Sequence, residues 1–108
     1  MVVAKFGHYL LSGYIMKKFV IERYLPGAGS LSAEALQAIA YTSCGVVSEM
    51  GKPYHWVQSF VTDDKIYCIH IAESEDVVRE HALRGGFPAD SVAEVRAIID
   101  PATSIGIK

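Results

Sequence analysis

The stretch from Tyr54 to Ala72, YHWVQSFVTDDKIYCIHIA, restricts the possible folds of this 108-residue chain more than any other. Two runs rich in Val, Ile, Phe, Tyr and Trp flank Thr62-Asp63-Asp64-Lys65, and β-forming residues on either side of a polar turn make a hairpin. Asp63 and Asp64 tolerate left-handed backbone, while the lack of a glycine leaves the turn type open. Side chains alternate across a strand, so Cys68 and His70 share one face and Tyr67, Ile69 and Ile71 share the other. One face carries donor atoms and the other is apolar.

The remaining elements assemble around this hairpin. Lys18 to Tyr24 alternates, with Phe19, Ile21 and Arg23 on one side and Val20, Glu22 and Tyr24 on the other. Leu25-Pro26-Gly27-Ala28-Gly29 ends that strand, because proline lacks an amide donor and glycine accepts unusual angles. Ser32 or Ser30 caps a helix whose apolar or small face runs through Leu36, Ile39, Ala40, Ser43, Val46, Val47 and Met50. Gly51 and Pro53 stop it. Cys44 sits at the margin of that face, and a packed thiol is its default reading. Ser74, Glu75 and Asp76 open a second helix, which runs to about Arg84 before Gly85-Gly86. His81 falls on its buried stripe with Val77, Val78 and Ala82, where one hydrogen bond commonly satisfies a histidine. Val92 to Asp100 reads as a last strand, with Val95, Ala97 and Ile99 opposite Glu94, Arg96 and Ile98. The domain therefore spans 16–102, with 1–15 as an N-terminal extension outside the fold and 103–108 as a tail.

Strand, helix, strand, strand, helix, strand is a half repeated twice. That order is the α+β ferredoxin-like βαββαβ arrangement, a four-stranded antiparallel sheet with two helices on one face. Its other face stays bare unless something covers it. Phe19, Ile21, Val95, Ala97 and Ile99 make the better helix-facing set, leaving Glu22, Glu94 and Arg96 on the open side. Equivalent reasoning turns Tyr67, Ile69 and Ile71 inward and Cys68 and His70 outward, near Glu22. The Tyr54–Val61 strand is ambiguous, since Trp56 and Phe60 occupy one parity and Val57 and Val61 the other.

Composition excludes several function classes. A net charge of -2 with no basic run excludes the clustered cations of a phosphate-tracking nucleic-acid binder. No apolar run approaches the roughly 20 residues of a membrane span. No signal-peptide pattern is present, and two cysteines without a dense framework fit a reducing, cytoplasmic setting. An apolar fraction of 51% leaves surface for self-association, and a second copy on the open sheet is the simplest cover.

Phe19-Val20-Ile21-Glu22-Arg23, Trp56-Val57-Gln58-Ser59-Phe60, Tyr67-Cys68-Ile69-His70-Ile71-Ala72, Arg79-Glu80-His81-Ala82 and Gly86-Phe87-Pro88 together resemble a family of small bacterial proteins. That family is of largely unknown function, has a ferredoxin-like fold and includes nickel-binding homodimers. The resemblance runs from about Met16 to about Ala102. Glu22, Trp56, Ser59, Cys68, Arg79, His81, Gly86 and Pro88 match its pattern, whereas His70 stands where the family more often carries Tyr. It implies the fold, a homodimer through the sheet and nickel binding.

Thiolate, imidazole and carboxylate are also the ligand types that borderline divalent cations prefer. Glu22, Cys68, His70 and His55 are expected to converge on the open face, with His81 reaching them past the sheet edge or from a partner. No C-x-x-C or H-x-x-x-H spacing supports the set. The expected function is a small dimeric, non-catalytic metal-binding protein for nickel or another divalent transition metal, used in sequestration or sensing. The alternative is a cofactor-free enzyme or small-molecule binder using the open sheet face. Glu22 beside Arg96 or Arg23 would then act as acid or base and His81 as proton carrier.

Overall fold

The computed structural model describes residues 8–11 and 14–106. Its strands are β1 (His8–Leu11), β2 (Tyr14–Tyr24), β3 (Tyr54–Val61), β4 (Lys65–Ala72) and β5 (Ser91–Glu94), and its helices are α1 (Ala33–Met50) and α2 (Glu75–Gly85). β2 and β4 pair at the centre, β3 flanks β4, and β5 flanks β2, all antiparallel. Without β1, this is the ferredoxin-like α+β fold expected from the order of elements.

Local chemistry sets the helix limits. Ser32 Oγ accepts the amide of Ala35 at 3.1 Å and Ser74 Oγ that of Val77 at 3.4 Å, so each helix starts on a serine cap. Gly51 (φ 62°) and Gly86 (φ 71°) end them in the left-handed region, which costs a glycine little. The β3–β4 hairpin closes through Thr62 N to Lys65 O at 2.8 Å, and the loop after β2 locks onto it. Gly29 donates to Asp63 O, and a Cβ on Gly29 would lie 3.0 Å from the Asp63 Cα, so the backbones touch there.

Two expectations change at the sheet edge. His8–Leu11, placed outside the fold from sequence, pairs antiparallel with Tyr14–Lys17; residues 1–7 and 12–13 lie outside the described residues. The last strand is shorter than expected and ends at Glu94, with one further bond from Val95 N to Lys18 O. β1 explains that end, because it occupies the edge of β2 along which β5 would continue. Released from the ladder, Ile99 is exposed instead of facing the helices. Within β5, Glu94 pairs with Phe19 and Val92 with Ile21, which places Glu94 on the helix side, opposite to its expected face.

The core lies between sheet and helices, built on Phe19, Ile21, Ile66, Cys68, Ala72 and Val78. Burial of a side chain such as Ile21, fully inaccessible, contributes about 1.5–3 kcal/mol. A second small cluster, Met16 against Ile71, is buried on the opposite face. Both parities of β4 therefore bury apolar atoms.

Candidate functional site

Register decides which side chains meet. Ile21 is opposite Cys68, Phe19 opposite His70 and Arg23 opposite Ile66. Directly opposed residues share a face, so Cys68 and His70 look toward the helices, where both are buried. Glu22 is opposite Tyr67, on the other side of the sheet. The expected grouping of Glu22 with Cys68 and His70 on the open face is thus reversed for the latter two. The reason is the Met16–Ile71 cluster: with both faces of β4 packed, apolar content could not mark the inner one.

Strand β3 resolves its own ambiguity with a bulge. Trp56 pairs with His70, and the register shifts between Trp56 and Gln58 before Ser59 pairs with Cys68. The extra residue, Val57, flips the parity beyond it, so Trp56, Ser59 and Val61 all face the helices while Phe60 faces away. A strict alternation cannot produce that set.

A cavity of about 230 Å³ results between α1 and the sheet. Leu36, Ile39, Ala40 and Ser43 of α1 line one side, and Val61 and Ile66 of the hairpin are apolar parts of the other. Its polar wall is built from Arg23, Ser59, Cys68, His70 and His81. Cys68 Sγ accepts two hydrogen bonds, from Ser59 Oγ at 3.0 Å and from Arg23 Nε at 3.3 Å. Ser59 in turn accepts Trp56 Nε1 at 2.9 Å. Arg23 also donates through Nη1 to the Pro88 carbonyl and lies 5.5 Å from the centre of the Phe87 ring.

The two histidines form an aromatic stack with Tyr54. The Tyr54 and His81 rings are stacked at 4.9 Å, and His70 meets both edge-on at 5.3 and 5.1 Å. Tyr54 Oη lies 2.5 Å from His70 Nδ1, and burial raises the pKa of the phenol. The phenol thus keeps its proton and donates, His70 Nδ1 accepts, and the neutral imidazole carries its hydrogen on Nε2. Burial, with smaller contributions from His81, Arg23 and His55, lowers the His70 pKa to about 3. Burial also lowers that of His81, against the opposing effect of the Ser43 backbone. His81 Nε2 is 3.1 Å from Ser43 Oγ, and His81 Nδ1 is buried without a partner.

The expected ligand set is therefore divided. Cys68, His70 and His81 reach one cavity. Glu22 lies across the sheet and pairs with Lys65, while His55, opposite Ile71, is exposed on that same far face. The β4 partners of Glu22 and His55, Tyr67 and Ile71, are four steps apart, roughly 13 Å along the strand, so they do not converge either. Among the described residues no group of three or more His, Cys, Asp or Glu is arranged to hold a metal ion. Nor does Glu22 meet Arg23 or Arg96, since Arg23 points to the helices and Arg96 pairs with Glu94. Cys44, expected to be packed, is exposed.

Tyr54, Ser43 and the Trp56-Ser59 pair are site residues that the sequence did not single out as such, and Arg23 was expected only beside Glu22 and not in the cavity. Arg23 had a legible signal, since it shares the parity of Phe19 and Ile21 on a central strand. The bulge and the Tyr54-His70 bond had none.

A family model described as nickel responsive protein SCO4226-like matches residues 19–95. The chain belongs to that family. A solved structure, the crystal structure of SCO4226 from Streptomyces coelicolor A3(2), superposes with a TM-score of 0.65 at 20% identity, covering 76% of this chain and 99% of that one. This likeness supports the shared fold. No curated protein matches the chain. Trp56, Ser59, Cys68, His81 and Pro88, on which the family resemblance partly rests, all line the cavity.

Proposed function

We propose that this protein is a small, non-catalytic binding protein for a divalent transition metal, nickel foremost, with uptake at the cavity beneath α1 and not on the open sheet. The observation that carries the reading is the donor chemistry of one wall: a thiol, two imidazoles held neutral, and the buried, unpartnered His81 Nδ1. Borderline cations favour sulfur and imidazole nitrogen; His81 Nδ1 is free to ligate as it stands, while His70 ligates through Nε2 once its hydrogen moves to Nδ1 and Tyr54 turns from donor to acceptor. The family's description as nickel responsive supports the same class of ligand. The fit lies in ligand type and not in a finished coordination shell. Binding therefore draws the donors closer or adds ligands from solvent or a second copy.

We further propose a homodimer through the face opposite the helices, where Phe60 is half exposed beside Tyr67. Calorimetric titration of the metal-free full chain with nickel and zinc tests the binding reading. Micromolar or tighter uptake, lost in His81→Ala, is expected; no uptake by the wild type overturns it. Light scattering at micromolar concentration tests the dimer, which a monomeric mass contradicts.

A further inference from the structure

The guanidinium of Arg23 is a buried charge without a counter-charge. Arg23 is 5% exposed, and arginine stays protonated in proteins. Its contacts are the Cys68 sulfur, the Pro88 carbonyl and the face of Phe87. Among the described residues no carboxylate pairs with it: the ion pairs there join Lys52 and Arg84 to Glu80, Lys65 to Glu22, Arg79 to Glu75 and Arg96 to Glu94. Of the five N–H donors of a guanidinium, Nε serves Cys68 and Nη1 serves Pro88, so the fork is not filled. An unpaired charge in an apolar interior is costly, and a buried positive group that lines a cavity is commonly completed by an anion.

The surroundings specify the kind of anion. Arg23 lines the cavity together with Leu36, Ile39, Val61 and Phe87, which offer an apolar body no polar partner. About 230 Å³ lies below the roughly 300–1,000 Å³ of sites that take drug-sized molecules, so the occupant is small. Among the residues lining the cavity there is no Asp or Glu, so no carboxylate on its wall offsets the Arg23 charge. We propose that the cavity binds a small organic carboxylate, its head on the Arg23 guanidinium and its short apolar body beneath α1. This goes beyond the metal reading and does not rest on it.

Trp56 is the single tryptophan of the chain and lines the cavity, so its fluorescence reports occupancy. The full chain is titrated in the presence of EDTA, which removes metal from the comparison, with hexanoate against 1-hexanol and benzoate against benzyl alcohol. Saturable binding of the carboxylates, roughly tenfold or more tighter than of the alcohols, is expected from charge-assisted hydrogen bonds. Arg23→Gln is expected to equalise acid and alcohol. Ala40→Phe, which fills the cavity from the helix and spares Arg23, is expected to abolish binding of both while leaving the circular dichroism unchanged. Equal affinity of the wild type for acid and alcohol overturns the proposal and leaves the Cys68 sulfur as the group that balances Arg23. Absence of saturable binding, or carboxylate binding that survives Ala40→Phe, overturns it as well. Failure of the nickel titration leaves these outcomes unaffected.

Discussion

Replacing His70 by Gln should flatten the acid limb of the stability profile. In the folded chain burial holds this imidazole neutral down to about pH 3, whereas an unfolded histidine protonates near 6.5. Between those values the unfolded state binds the extra proton, so stability is fully present above about pH 6.5 and falls as pH drops toward 3. One proton changes stability by about 1.4 kcal/mol per pH unit once the unfolded group is titrated. From pH 7 to pH 5 the loss attributable to His70 is about 2 kcal/mol, approaching about 5 kcal/mol at the low end. His81, also held neutral by burial, adds in the same direction and remains in the variant. Glutamine retains an acceptor for Tyr54, so the informative quantity is the slope and not the absolute stability. Urea unfolding at pH 7, 6 and 5, followed by Trp56 fluorescence, measures it. The wild type should lose about 2 kcal/mol more than His70→Gln across that range. Parallel profiles would refute the burial argument.

Other expectations follow from single contacts. Gly85→Ala places a Cβ 2.3 Å from the Phe87 ring, so Phe87 must leave its stack on His81; the ring-current shift of the His81 protons should move in NMR spectra. Gly86→Ala meets nothing within 4 Å but forces a left-handed φ of 71° on alanine, and thermal unfolding should show a cost of about 1–2 kcal/mol. Ile21→Ala empties a fully buried position on the central strand and should cost about 2–5 kcal/mol in denaturant titration. Lys65→Met breaks the exposed pair with Glu22 and should leave the unfolding midpoint nearly unchanged.

What sequence could and could not reveal divides along physical lines. The helices were legible because caps and stops are local: Ser32, Gly51, Ser74 and Gly86 act within one turn of chain. The strand order followed from the order of elements, as the split βαβ arrangement admits few pairings. Facing was harder. Periodicity separates two sets of residues on β4 but does not say which is inner when Ile71 and Met16 bury the far side as well. The bulge at Val57 is invisible to any period-two rule, and it brings Ser59 beside Cys68. The end of β5 depended on a competing strand for the β2 edge. The site inherited these errors: its thiol and imidazoles were identified by chemistry, but Glu22 was placed with them because one parity was read backwards.

The claim that donors and cavity lie together on the helix side has a direct measurement. Nickel uptake by the full chain, followed by the near-ultraviolet thiolate-to-metal charge-transfer band, is compared for wild type, Cys68→Ser and Glu22→Gln. The band should appear in the wild type and in Glu22→Gln and vanish in Cys68→Ser. A band that survives Cys68→Ser but is lost with Glu22→Gln would contradict the account, since it would put the metal on the face of the sheet turned away from Cys68.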